Sequence, residues 1–398
     1  MFNPYANVDW NIYRRIASVS HQHLSHNGNL TQSTFNEIYD SGVKHFAISR
    51  YRPSIVTYPF DYTNNKFNFV ANPFDSSENL TEIMQYYTVE VNTPNDVIGS
   101  PNAEHIYSYL WFNNEWNRWS NVHINGLGSL YQSGLEPNPT WNNSGCNIRY
   151  TKLIDNILQN LQFYDGGGVI INHPCWTNDN KHFDFNVEKF IKDCLDYDNR
   201  VLGFDIIEAG SQVRSEYDLA ILDNILETGR RCFAFGIGDW DRKRGRNIIL
   251  AEPQASRSAY EHEILKAYRQ GRFYVKYANS ELMFGEITYD ETHDSITCVA
   301  YNCDKLDTII DGTVTSVSGT NATLTSYISD ASENGYIRFV GYKNRDVDPD
   351  WDYKETDVYK DIIYSQAIQF YVNEYRYNPS YDNPDNVRKN LAKYWFWD

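Results

Sequence analysis

Short apolar runs alternate with helical segments through the first 240 residues, and this alternation constrains the fold more than any other feature. The runs rich in Val, Ile and Phe are 45–49, 122–124, 168–172, 203–207 and 232–236. Helical spacing occurs at 31–41, 150–161, 187–195, 216–227 and 257–270. Thr31 and Ser256 have side chains suited to cap two of these helices. The alternation predicts an α/β fold with a parallel sheet or barrel.

The pattern changes after about residue 276. Stretches 295–301, 322–328 and 335–340 alternate apolar and polar residues, and turns rich in Asp, Asn and Gly separate them. Such alternation is typical of antiparallel strands with one buried face. We therefore predict a first domain over residues 1–280, a smaller all-β sandwich domain over 281–376 and a polar, aromatic tail over 377–398.

Composition limits the partners and the compartment. The net charge of -17 repels polyanions, so we expect no nucleic acid as a bulk partner. The six cysteines lack paired spacing, and we expect them to be reduced. The start of the chain does not resemble a signal peptide, and no apolar run reaches about 18 residues. We expect a soluble cytoplasmic protein of bacterial or phage origin, or a virion protein if phage-encoded, without a membrane partner.

The histidines carry the strongest chemical signal. His21 and His23 follow the apolar segment 16–20, and in a strand that continues to residue 23 both side chains point to one face. Two imidazoles on one face form a ready metal-binding pair. For this pair alone, chance clustering of surface histidines is about equally plausible.

Further ligand-type residues accompany other predicted strands. His123 lies in the run 122–124, His173 follows the run 168–172, and Asp239 follows the run 232–236. In α/β folds the carboxyl ends of parallel strands converge on the functional site. We therefore predict that these three side chains meet the histidine pair in one metal centre.

The ordered motifs resemble the polymerase and histidinol phosphatase (PHP) family of metal-dependent phosphoesterases. The resemblance covers about the first 280 residues. Within the family, the chain is similar to the members that carry a C-terminal β domain. It rests on His21-x-His23, the segments 123–128 and 172–174, Ile207-Glu208, 236–239 and 271–274. The resemblance implies a distorted (β/α)7 barrel, TIM-like in outline, with up to three metals at the strand ends.

The same resemblance implies how the ligands divide between two metals. One would be held by His21, His23, Glu104 and Asp239, and the second by Glu104, His123 and His173. Glu104 would bridge them, with Glu90 as an alternative in a similar region of the sequence. Manganese, iron and zinc all suit histidine and carboxylate ligands.

Two departures from the family pattern fall on the ligands expected for a third metal. Where the family usually has Thr-Asp-His after the second strand, this chain has Ser49-Arg50-Tyr51. Where the family has a histidine two residues beyond the last aspartate, this chain has Asp241. We therefore predict two divalent metal ions. Arg50 is either a surface charge or a replacement for the third cation that pairs with phosphate. By the same argument Arg52, and also His26, are candidate substrate-binding residues.

Paired cations activate water and stabilise charge on a phosphoryl oxygen. The sequence thus predicts an enzyme that hydrolyses a phosphomonoester or phosphodiester of small or medium size. Asp239 and Asp241 are candidate proton-transfer residues, and Arg50 is a candidate catalytic residue. Two alternatives stay open. One is a metal-dependent hydrolase of carbamate or amide esters. The other is a catalytically weak scaffold, phage or cell-wall associated, whose β domain binds a protein or a surface.

Overall fold

The computed structural model describes most of the chain. The described residues are 1–24, 28–49, 59–71, 87–110, 119–131, 141–142, 145–146, 150–174, 187–207, 212–237, 245–277, 281–344 and 360–370. Within them lie 22 β-strands, five α-helices and one short 3-10 helix. None of these helices is long and apolar enough to span a bilayer.

The helices are α1 (Gly28–Asp40), α2 (Tyr150–Gln159), α3 (Val187–Tyr197), α4 (Gln212–Leu226) and α5 (Arg257–Gln270). The first eleven strands are β1 (Arg14–Gln22), β2 (His45–Ile48), β3 (Lys66–Ala71), β4 (Tyr87–Asn92), β5 (Ile98–Gly99), β6 (Glu104–Leu110), β7 (Trp119–Leu127), β8 (Trp141–Asn142), β9 (Gly145–Cys146), β10 (Gly168–Asn172) and β11 (Val201–Ile207). The remaining strands are β12 (Phe233–Gly236), β13 (Gly245–Ala251), β14 (Phe273–Tyr277), β15 (Met283–Asp290), β16 (Ser295–Tyr301), β17 (Lys305–Ile310), β18 (Thr313–Ser318), β19 (Asn321–Tyr327), β20 (Tyr336–Asn344), β21 (Lys360–Ser365) and β22 (Ile368–Gln369).

All five predicted apolar runs coincide with strands, and all five predicted helical segments coincide with helices. The cap prediction at Ser256 is confirmed, because its hydroxyl accepts a hydrogen bond from the backbone N–H of Ala259. The cap prediction at Thr31 is wrong, because α1 already begins at Gly28 and Thr31 lies buried inside it. Local periodicity therefore located the elements better than it located their ends.

Two mixed sheets dominate the structure. The first contains ten strands, in the order β18-β17-β20-β21-β14-β13-β1-β2-β5, with β22 beside β20. The second contains seven strands, in the order β12-β11-β10-β7-β6-β9-β8. Smaller sheets are formed by β15-β16-β19 and by β3-β4.

The predicted (β/α)7, TIM-like barrel followed by a separate sandwich is wrong. A (β/α) barrel needs parallel strands with a helix after each, whereas β1 pairs antiparallel with β13, and β7 pairs antiparallel with both β6 and β10. The five described helices are too few for it. Buried antiparallel strands covered on both faces have the same apolar runs as parallel ones, so the sequence pattern did not separate the two cases.

Several strands after residue 280 belong to the ten-stranded sheet, which also contains strands from the first part of the chain. The link is β14, which pairs antiparallel with β21 from Tyr274↔Ser365 to Tyr277↔Ile362. One apolar core joins side chains near the start of the chain, such as Tyr5 and Trp10, to Phe284 and Phe339. The domain boundary predicted at residue 280 stays a prediction.

Candidate metal centre

The first two candidate ligands come from the end of β1. His21 is the penultimate residue of this strand and His23 follows the strand, so two-residue alternation directs both imidazoles to one side. Both side chains are buried, and their Nε2 atoms lie 3.2 Å apart. Their ring planes are almost perpendicular, at 82°. The two nitrogens therefore converge on one point from different directions.

Glu104 and His123 meet through the antiparallel register of β6 and β7. Glu104 lies opposite Asn125, and His123 lies two residues before Asn125, so both side chains point to the same face of the sheet. Glu104 Oε1 is 2.7 Å from His123 Nδ1. On the other side of β7, Asn172 of β10 lies opposite His123 and donates from Nδ2 to Glu104 Oε1 at 3.0 Å. His123 thus lies inside an antiparallel strand, not at the end of a parallel one as expected.

His173 reaches the same site because the chain leaves the strand conformation there. Regular alternation after Asn172 would direct the next side chain to the opposite face of β10. The backbone φ angle of His173 is +27°, a value that residues other than glycine rarely adopt. Its Nε2 consequently lies 3.3 Å from Glu104 Oε1. Backbone strain of this kind concentrates at functional sites.

Glu104 is the centre of the cluster. Its Oε1 lies 3.3 Å from His21 Nε2, 2.7 Å from His123 Nδ1 and 3.3 Å from His173 Nε2, whereas its Oε2 lies 2.8 Å from His23 Nε2. Burial opposes ionisation of this carboxyl group, but the charges and hydrogen bonds of the surrounding histidines outweigh burial. They hold the pKa of Glu104 well below its usual value. The carboxylate is therefore ionised over the whole neutral range.

The cluster could hold a metal ion. Two groups, His21-His23-Glu104 and Glu104-His123-His173, each place their ligand atoms within 4.8 Å of one another, and all five residues are buried. Imidazole nitrogens and carboxylate oxygens are the donors that zinc, iron and manganese accept. Because the described ligand set contains a single carboxylate among four imidazoles, a cation there would offset the charge of that buried carboxylate. The donor set therefore fits a metal.

Buried amides tie the two large sheets together beside this cluster. Asn102 Nδ2 lies within hydrogen-bond distance of the carbonyl oxygens of Ser20 and Ala47 and of Ser49 Oγ, and its two N–H groups are shared among these three acceptors. Asn125 Nδ2 donates to the Ser20 carbonyl oxygen at 2.9 Å. Since Ser20 directly precedes His21, these bonds fix the end of β1 against the strands that carry Glu104 and His123.

Sequence reasoning missed Asp205, which lies in the middle of β11 and is fully buried. Its Oδ2 accepts a hydrogen bond from the backbone N–H of His173 at 2.9 Å and lies 3.9 Å from His21 Nδ1. Burial raises the pKa of Asp205, and the neighbouring His21 and His173 partly offset that rise. The available signal was a carboxylate inside an apolar run, since unpaired aspartates are almost never fully buried.

The positions of Glu104 and Glu90 favour Glu104 as the candidate ligand. Glu90 lies on β4, where its carboxylate is about half exposed and pairs with Lys66 Nζ at 2.9 Å. It is absent from both ligand groups, which share Glu104. Lys66 and Glu90 form an ordinary surface ion pair of the β3-β4 hairpin.

Several predicted site residues lie outside the described residues. They are the candidate ligand Asp239, the candidate proton-transfer residue Asp241, and the candidate substrate-binding residues Arg50, Arg52 and His26. Glu208, part of one motif, also lies outside them. Their predicted roles stay predictions.

Known proteins give no guide to the function of this chain, so the functional hypothesis rests on the chemistry of the cluster. No protein-family model, curated protein or solved structure matches the chain. The resemblance to PHP phosphoesterases accordingly stays a prediction from the sequence motifs.

Proposed function

We propose that this protein is a metal-dependent hydrolase that cleaves a phosphomonoester or phosphodiester with the help of two divalent cations. The observation that supports the proposal is one buried carboxylate, Glu104, shared by two histidine pairs. A carboxylate has two oxygens and can therefore bridge two ions, and hydrolases with two-metal sites hold their ions about 4 Å apart. His21 and His23 would complete one site, and His123 and His173 the other.

The cations, whether Mn, Fe or Zn, would supply an activated water and stabilise the charge that develops on the substrate. The protein supplies their positions. Asn172 Nδ2 holds Glu104 Oε1, and the Asn102 and Asn125 amides hold the main chain at Ser20. These bonds limit the movement of Glu104 and His21 relative to each other. A two-metal site requires ligands that are held in place in this way.

An anionic substrate is favoured by the charge of the site. Even with both Glu104 and the predicted ligand Asp239 ionised, two divalent cations would leave a net positive excess in a buried environment. Such an excess attracts a phosphate more strongly than a neutral ester. The predicted pairing of Arg50 and Arg52 with phosphate, the predicted place of His26 in the substrate pocket, and the predicted ligand and proton-transfer roles of Asp239 and Asp241 belong to this proposal.

The test measures metal content and turnover together. Protein purified without chelators is analysed for bound elements, and hydrolysis of p-nitrophenyl phosphate and bis-p-nitrophenyl phosphate is followed before and after adding Mn²⁺. We expect about two ions per chain and metal-dependent turnover. His123→Ala should lose part of the bound metal and lower turnover by at least the roughly 10- to 100-fold that is typical of losing a residue that orients a ligand. Glu104→Gln should lower binding at both sites, because Glu104 is the shared ligand.

The matched control is His262→Ala. His262 also pairs with a carboxylate, at 2.6 Å from Asp165 Oδ1, but it is partly exposed and lies in α5, outside the cluster. It should retain the metal content and turnover of the unmodified protein. Absence of bound metal and of turnover in the unmodified protein would refute the proposal.

A further inference from the structure

Asp205 is a buried carboxylate that belongs to neither ligand group. It lies on β11, beside β10, because the parallel register pairs Ile171 with Phe204. Its side chain is fully buried, and its Oδ1 has no hydrogen-bond partner among the described residues. A carboxylate in such a place is costly unless charged or polar neighbours compensate it. Those neighbours are two candidate ligands, His173 and His21.

The contact with His173 explains the backbone of that residue. Asp205 Oδ2 accepts the His173 N–H at 2.9 Å, next to the φ angle of +27° that turns the imidazole toward Glu104. A non-glycine residue in this region is strained unless the surroundings stabilise its backbone conformation. A hydrogen bond from a backbone N–H to a carboxylate is of the strong, charge-assisted kind. Asp205 therefore stabilises the conformation that brings His173 into the cluster.

The contact with His21 concerns the proton of the imidazole. His21 directs Nε2 to Glu104 and His23, and directs Nδ1 to Asp205 Oδ2 at 3.9 Å. An imidazole that binds a metal through one nitrogen carries its proton on the other, and a carboxylate acceptor there fixes both the tautomer and the ring. The present separation exceeds a hydrogen bond, so this function requires it to shorten when Nε2 binds a cation.

We propose that Asp205 is a positioning residue for both halves of the metal centre. It holds the His173 main chain in the conformation that ligation needs, and it accepts the Nδ1 proton of His21 so that the Nε2 lone pair is available to a cation. This inference rests on the proposed function. It adds a single carboxylate that acts through two ligands, one from each group.

The test is a titration of the metal-free, full-length protein with Zn²⁺ against a competing chelator. Replacing a residue that orients a metal ligand typically weakens metal affinity by 10- to 100-fold. Asp205→Ala removes both contacts and should weaken zinc affinity by about 100-fold. Asp205→Asn keeps an oxygen that can accept the His173 N–H but loses the charge, and should weaken it by about 10-fold.

The matched control is Asp198→Asn. Asp198 is also buried and also accepts a backbone N–H, from Arg200 at 2.9 Å, just before β11. It should bind zinc as the unmodified protein does. Melting temperatures of the metal-free variants separate lost affinity from lost folding, and if Asp205→Ala does not fold, Asp205→Asn carries the comparison.

A second measurement separates positioning from general stability. In ¹H–¹⁵N spectra of the zinc-loaded protein, the Nδ1 proton of His21, assigned by its loss in His21→Ala, should be shifted downfield and slow to exchange. Asp205→Asn should move this signal. Zinc affinity in either Asp205 variant equal to that of the unmodified protein would overturn the inference while leaving the proposed function in place. Absence of zinc binding in the unmodified protein would overturn the inference, and would overturn the proposed function as well if no other bound metal and no turnover were found.

Discussion

Replacing Glu261 with glutamine should remove a pH-dependent destabilisation of the fold. Glu261 lies in α5 with 2% relative exposure, and its Oε2 accepts a hydrogen bond from the Tyr62 hydroxyl at 3.0 Å. Burial raises the pKa of Glu261 from 4.5 to about 7, and the Tyr62 hydrogen bond offsets only part of that effect. The folded state therefore holds the Glu261 proton more tightly than the unfolded state does.

The sign and size of the effect follow from this difference. Below pH 4.5 the carboxyl group is protonated in both states and costs nothing, whereas above about pH 7 it is ionised in both states and the folded protein bears the full cost of a buried charge. At 1.36 kcal/mol per pKa unit, the free energy of unfolding should fall by about 3 kcal/mol as pH rises through this window. Glutamine stays neutral and can still accept the Tyr62 hydrogen bond.

The assay is urea unfolding of the unmodified protein and of Glu261→Gln at intervals from pH 4.5 to 8. The two should have similar stability near pH 4.5, and Glu261→Gln should be more stable by about 3 kcal/mol at pH 8. Glu291→Gln removes an exposed carboxylate at the β15-β16 turn and should follow the curve of the unmodified protein. Parallel curves for Glu261→Gln and the unmodified protein would refute the reasoning, because no pH-dependent difference would then belong to Glu261.

Two further predictions concern packing. In Gly203→Ala the new Cβ would lie 1.9 Å from the carbonyl oxygen of Phe233, so the free energy of unfolding should fall by about 3 kcal/mol. Gly319→Ala has a similar φ of +150° and no atom within 4 Å of the new Cβ, so it measures the backbone cost alone. An equal loss of stability in both variants would contradict the steric argument. Asp223→Ala should lower the free energy of unfolding in urea by about 3–5 kcal/mol, because it leaves the buried Arg338 guanidinium without the carboxylate that lies 2.7 Å away. Adding Arg338→Met should recover most of the loss.

Local sequence pattern located the elements because helix and strand periodicity depend on neighbours in the chain. The apolar runs at 168–172 and 203–207 lie in β10 and β11, and the helix prediction at 257–270 matches α5. The same pattern misjudged how strands pair. Helix α5 separates β13 from β14, which the sequence rules interpret as a parallel crossover, yet Gly245 pairs with Tyr277 in an antiparallel register.

The candidate site divides in the same way. The spacing of His21 and His23 predicts their shared direction from strand geometry alone, and this side of the cluster needed no tertiary information. By contrast, the sequence left Glu90 as an alternative to Glu104, and only the register of β6 against β7 brings Glu104 beside His123. Asp205 was missed because its contacts depend on the pairing of β10 with β11.

The sequence by itself determined the positions of the five described helices and of several strands, and also a set of side chains whose types suit metal binding. Periodicity and ligand type are properties of a chain segment and its immediate neighbours. Only the tertiary structure decided the sheet order, the central place of Glu104 among the four histidines and the turn that directs His173 inward. These depend on pairings between residues far apart in the chain, which are fixed by the hydrogen bonds and packing of the whole fold.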